Sequence, residues 1–113
     1  MENNTVMSES AFDECVDDSF EKIEIAIDES DSDVDYDTNG GVLTIYCEGG
    51  SQIIFSRQTA QRQLWMAAKS GGFHYKYDNE NGRWVSTRVG DSLQQEFERA
   101  FQAQTTHSIT IKL

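Results

Sequence analysis

The chain has 113 residues, 37% hydrophobic and 11% aromatic, which suits one domain around one core rather than two domains or a disordered tract. Its formal net charge of -11 is unevenly placed: residues 1–37 hold 14 of the 20 acids against Lys22 alone, whereas the remainder is slightly basic. Such a block argues against nucleic acid as a partner, because phosphate contact needs a basic patch, and for cations or a basic protein surface. No apolar run nears the roughly 20 residues of a membrane span, and the first residues lack the pattern of a signal or transit peptide, so a cytoplasmic protein is expected.

Helical periodicity places Phe12, Val16, Ser19, Phe20, Ile23 and Ile27 within a sector of about 100°, which predicts an amphipathic helix over residues 8–29. Asp13, Glu14, Asp17, Asp18, Glu21, Glu24 and Asp28 sweep its far side. Beyond Ser30, the alternation Asp33-Val34-Asp35-Tyr36-Asp37 predicts an edge strand with Val34 and Tyr36 on one face and three aspartates on the other.

Asn39-Gly40-Gly41 supplies a tight turn into a strand over residues 42–48, and Glu48-Gly49-Gly50-Ser51 turns again into residues 52–57. Strands over 63–68, 73–77 and 83–86 follow, separated by Ser70-Gly71-Gly72 and Asn79-Glu80-Asn81-Gly82. Asp91 or Ser92 can cap a second helix carrying Leu93, Phe97, Ala100 and Phe101 to about Gln104, and Ile109, Ile111 and Leu113 alternate in a tail over 106–113. Two helices flanking an antiparallel meander of five or six strands predict an α+β fold, a two-layer αβ sandwich with both helices on one sheet face. The other face is left for water or a partner.

Asn39-Gly40-Gly41-Val42-Leu43-Thr44-Ile45, followed by Gly50-Ser51 and Ile53-Ile54, resembles the frataxin family in its bacterial, CyaY-type form. The stretch Ser56-Arg57-Gln58-Thr59-Ala60-Gln61-Arg62-Gln63-Leu64-Trp65-Met66-Ala67 is similar to the frataxin signature, with Gln58, Gln63 and Trp65 at the family's positions. Ser56 and Arg57 stand where the family usually has Asn-Lys, and Ala60 where it usually has proline. The resemblance implies a frataxin-like fold that binds ferrous and ferric iron weakly through an acidic ridge on the first helix and first strand. It also implies docking on the cysteine desulfurase, and work alongside the scaffold protein, in iron-sulfur cluster assembly.

Carried onto this chain, the ridge comprises Asp17, Asp18, Glu21, Glu24, Asp28, Glu29, Asp31, Asp33, Asp35 and Asp37 as candidate iron ligands. Asp31, Asp33 and Asp35, with Arg57, Gln58, Gln63 and Trp65, are the candidate partner-binding residues. Carboxylates are hard ligands that suit iron and also manganese, calcium or magnesium, and their spacing along one helix face predicts shallow, hydrated sites. Trp65 shares an alternating face with Gln63 and Ala67, opposite Leu64 and Met66; a core tryptophan is the ordinary reading of such a residue, whereas the resemblance exposes it as an interface anchor with Arg57, Gln58 and Gln63 as polar neighbours.

Other chemistry finds little support. Asp35-Tyr36-Asp37-Thr38-Asn39-Gly40 matches the first half of a calcium-binding loop, but Tyr46 occupies the twelfth position where a glutamate is needed. Cys15 and Cys47 lack metal-type spacing, His74 and His107 are separated in sequence, and no nucleophile motif or phosphate-cradling loop is present, so an enzyme is not expected. The readings carried forward are an iron-binding regulator of cluster assembly, an iron oxidase or storage protein, and a metal-independent acidic decoy for a basic surface. A monomer is expected, with oligomers in the presence of iron as the alternative.

Overall fold

Ser8 opens the first helix by accepting the amide of Ala11 on its hydroxyl, satisfying one of the free N–H groups of the first turn. Helix α1 (Glu9–Glu29) buries the predicted stripe from Phe12 to Ile27. It ends at Ser30, where the backbone turns extended and the amide and hydroxyl both return to helix carbonyls. The computed structural model of the protein describes residues 7–88 and 90–113; residues 1–7 are expected from the sequence as a short N-terminal segment, and all of it but Met7 lies outside the described residues.

Six strands follow: β1 (Asp35–Asn39), β2 (Val42–Tyr46), β3 (Gln52–Gln58), β4 (Gln63–Ala68), β5 (Gly71–Asp78) and β6 (Arg83–Ser86). They pair in sequence order, each antiparallel to the next, so the sheet is a simple meander. Helix α2 (Leu93–Thr105) starts at Ser92, whose hydroxyl accepts the Gln95 amide while the Gln95 side chain returns to the Ser92 amide.

Register assigns the two faces. Leu43, Phe55, Met66 and Phe73 lie across from one another, as do Ile45 and Ile53, and Leu64 and Tyr75. Phe55 is fully buried between Phe20 of α1 and Phe97 of α2, with ring centroids 6.5 and 5.3 Å away, so both helices cover this one face. Phe12 meets Trp84 edge-on at 5.9 Å, and the Trp84 indole N–H donates to Ser19 Oγ, a buried polar link between α1 and β6. Burying each large side chain of this core stabilises the fold by roughly 1.5–3 kcal/mol.

Several boundaries move. The first strand begins at Asp35 rather than Asp33, because its ladder starts at the Asp35–Tyr46 pair and leaves Asp31 and Asp33 in the connecting segment. The second strand ends at Tyr46, since Glu48–Gly50 curls into a single 3-10 turn with Gly49 at φ 79°. The strand expected at 73–77 extends at both ends, to Gly71 and Asp78. Ile109, Ile111 and Leu113 are buried, and the Leu113 carbonyl accepts the Trp84 amide, so the tail seals the core beside β6. The loop through Ala60 is held by Arg62: its backbone is left-handed at φ 55°, and its guanidinium reaches the carbonyls of Met7, Thr59 and Ala60.

Candidate functional site

Because the buried stripe of α1 is turned to the sheet, its carboxylates line the helix flanks and solvent side. The flank toward β1 and β3 is tied into the sheet in two different ways. Near its start, the Arg57 guanidinium bridges Asp13, at 3.3 Å, and Asp17, while Thr59 Oγ1 also donates to Asp13. Further along, the hydroxyls of Thr38 and Tyr36 donate to Glu24 and Asp28, the latter at 2.9 and 3.0 Å to the two oxygens. Guanidinium neutralises charge; hydroxyls fix the carboxylates in place and leave their charge intact.

The Tyr36 phenol is correspondingly raised above its ordinary pKa, first by its bond to the Asp28 carboxylate and then by desolvation and the negative charge of Asp28 and Glu24. Asp18 pairs with Lys22 at 3.3 Å one turn along the helix. Glu21, Glu29, Asp31 and Asp33 are exposed. Among the described residues, no three His, Cys, Asp or Glu side chains gather closely enough to hold a metal ion together. Carboxylate oxygens, singly or in pairs, are the donor type that suits a hydrated hard cation.

With Tyr36 and Thr38 turned to α1, alternation sends Asp35 and Asp37 to the opposite, helix-free face of the sheet. The acidic surface thus wraps the β1 edge and continues onto the open face. There Gln58 pairs across from Gln63, and Ser56 from Trp65, so Gln58, Gln63 and Trp65 share one side. Trp65 is half-buried, donates its indole N–H to Gln63 at 2.8 Å, and stacks on the His74 ring at 4.1 Å and 11°. A shallow depression lined by Ile54, Ser56, Ala67 and Gly72 adjoins the ring.

Arg57 does not belong to that group. It follows Ile53 and Phe55 on the helix-facing side of β3, pairs across from buried Leu64, and lies over the Phe20 ring at 5.8 Å. Its expected place beside Trp65 is corrected by strand alternation, which puts neighbours in sequence on opposite faces. The hydroxyl donors Tyr36 and Thr38, the acid Asp13 and the stacking partner His74 were not among the predicted site residues. The period-two pattern of Ile53, Phe55 and Arg57 carried the signal for Arg57; nothing local in sequence marks the cross-strand stack.

Both cysteines are free. Burial pushes the Cys47 thiol up against the partial opposing effect of Ser51 and Gln104, and burial with the neighbouring Asp18 and Glu14 charges raises Cys15. Raised thiols are poor nucleophiles and poor metal ligands.

The frataxin-like domain family matches residues 5–107. An iron-sulfur cluster assembly protein CyaY of Pseudomonas fluorescens is 46% identical over 98 residues, covering 87% of this chain and 89% of that protein. One of the same name from Azotobacter vinelandii is 48% identical over 87 residues, covering 77% and 79%. The structure of a frataxin from Psychromonas ingrahamii superposes with a TM-score of 0.85 at 36% identity, covering 92% of this chain and 97% of the other. Yeast frataxin, at 24% identity over 83% of each chain and a TM-score of 0.61, shares the fold.

Proposed function

The chain belongs to the frataxin family, and from that premise we propose that it serves iron-sulfur cluster assembly as a non-catalytic regulator, binding iron weakly and docking on the cysteine desulfurase through its acidic surface. The observation that carries this reading is the wrapped acidic edge: Glu21, Glu24 and Asp28 on α1, with Asp35 and Asp37 around β1, and carboxylates fixed by neutral hydroxyls that leave the charge available. Iron here is cargo. Carboxylates on one helix face sit roughly 5–6 Å apart, enough for one or two to face a hydrated ion. A basic protein surface meets the same charges over a larger area, and Trp65 on the adjoining open face supplies an amphipathic anchor for the desulfurase or the scaffold protein.

The test is the affinity of the full chain for the desulfurase across a salt series. Exposed charges are screened within about 8–10 Å at physiological ionic strength, so affinity should fall steeply with salt and fall again when Asp31, Asp33 and Asp35 are changed to Asn. Affinity indifferent to both would refute acidic docking. The guanidinium of Arg57, held by Asp13 and Asp17, favours a second reading, docking on a basic surface without metal; iron binding that is no weaker when Glu21, Glu24 and Asp28 are changed to Gln, Gln and Asn would support it.

A further inference from the structure

Arg57 is the one basic side chain of the sheet that reaches the acidic flank of α1 among the described ion pairs. It is set there firmly. Its amide donates to the Gly41 carbonyl, its aliphatic stem passes so close to Gly41 that a Cβ at that position would come within 3.2 Å, and its guanidinium packs over Phe20. The side chain is 18% exposed, and its two terminal nitrogens go to Asp13 and Asp17, from residues 44 and 40 positions away. Its Nε is buried without a partner, so the orientation is set by the two carboxylates rather than by a full complement of hydrogen bonds.

We propose that Arg57 is a built-in counter-ion that closes the N-terminal half of the acidic flank to external cations, confining metal or guanidinium binding to the half around Glu21, Glu24 and Asp28. The inference rests on the reading of this surface as a cation binder and adds where on it binding happens. The chemistry is direct. Asp13, Asp17 and Arg57 together carry one net negative charge where the acids alone would carry two, and the oxygens turned toward the sheet are already accepting. Glu24 and Asp28 keep both charges, because their partners are hydroxyls. A covalently attached guanidinium also sits at a high effective concentration, which a free ion at low concentration must overcome. The acid pair is thereby shown with its ligand chemistry: what it holds is a guanidinium, supplied by the same chain.

The probe is Mn2+ alone, read as paramagnetic broadening of amide signals in the full chain. At a concentration that halves the signals of Glu24 and Asp28, that of Asp13, about two turns from Glu21, should keep its intensity in the parent protein. In Arg57→Gln it should broaden as strongly as Glu24 and Asp28. Equal broadening of Asp13 and Glu24 in the parent overturns the proposal, and this holds even if Arg57→Gln does not fold. A folded Arg57→Gln whose Asp13 stays sharp overturns it as well. Broadening of Asp13 in the variant with none at Glu24 and Asp28 in either protein would support the counter-ion role and refute the cation-binding reading of the remaining half.

Discussion

Glu21 stands where the proposed function and the stability of the fold oppose each other most clearly. It is exposed, near the middle of α1, and has no hydrogen-bond or ion-pair partner among the described residues, while Asp17, Asp18 and Glu24 lie four, three and three positions away on the same surface. Like charges at such spacings destabilise a helix by roughly 0.2–0.5 kcal/mol per pair; with Asp17 offset by Arg57 and Asp18 by Lys22, Glu24 contributes most, so Glu21→Gln should stabilise the protein by about 0.5 kcal/mol at low salt. For a domain of this size that is a rise in Tm of about 2 °C. The gain is electrostatic and exposed, so it should shrink toward zero at about 1 M salt, where screening acts within roughly 3 Å. The same substitution should weaken divalent cation binding: a water-facing carboxylate about 6 Å from the ion contributes roughly 1.4 kcal/mol, or tenfold in affinity. Thermal unfolding followed by circular dichroism at low and high salt, with a Mn2+ titration at low salt, reads both effects. A loss of stability, or a gain that survives high salt, would contradict the like-charge account of this face.

Other perturbations probe the supports of the surface. Ser19→Ala leaves the buried Trp84 indole N–H without its acceptor, a cost of about 1–3 kcal/mol that the better helix propensity of alanine offsets by roughly 0.5, so urea unfolding should show a net loss of about 1–2 kcal/mol; unchanged stability would show the bond is dispensable. Trp65→Ala removes an open-face ring whose stacking on His74 is worth roughly 0.5–1.5 kcal/mol, so it should cost little stability yet weaken desulfurase or scaffold binding while leaving Mn2+ binding intact; full retention of partner affinity would remove Trp65 from the interface. The raised Tyr36 phenol means its stabilising contribution is fully present below the unfolded phenol pKa near 10.0 and is lost as pH climbs through the higher folded value, so the parent and Tyr36→Phe should converge in stability at alkaline pH. A gap between them that widens with pH would reverse that sign.

Much of this architecture is legible in the chain because its signals are local. The spacing from Phe12 to Ile27 marks the buried stripe of α1, and Asn39-Gly40-Gly41 and Asn79-Glu80-Asn81-Gly82 mark hairpin turns that the structure contains. The Ser92 cap and the inward alternation of Leu64 and Met66 are of the same kind. What escaped depends on pairing between distant segments. The start of β1 is set by where Asp35 meets Tyr46, not by the alternation that already begins at Asp33. The Trp65–His74 stack exists because β4 and β5 pair in one register. Arg57 shows the cost of reading a motif as a linear patch: next to Gln58 in sequence, it lies across the sheet from it, and its partners Asp13 and Asp17 belong to α1. Asp35 and Asp37 are likewise separated from the α1 acids by the thickness of one strand, so the acidic block of the sequence becomes a surface that wraps an edge.

The central claim is that one acidic surface serves both iron and a basic protein partner. Titrating the cysteine desulfurase with this protein at low salt, with and without saturating ferrous iron under anaerobic conditions, tests that overlap most directly. Iron should weaken the complex, because each bound cation cancels charge on which docking depends. Equal affinity in both titrations would contradict the claim and separate the iron-binding surface from the docking surface.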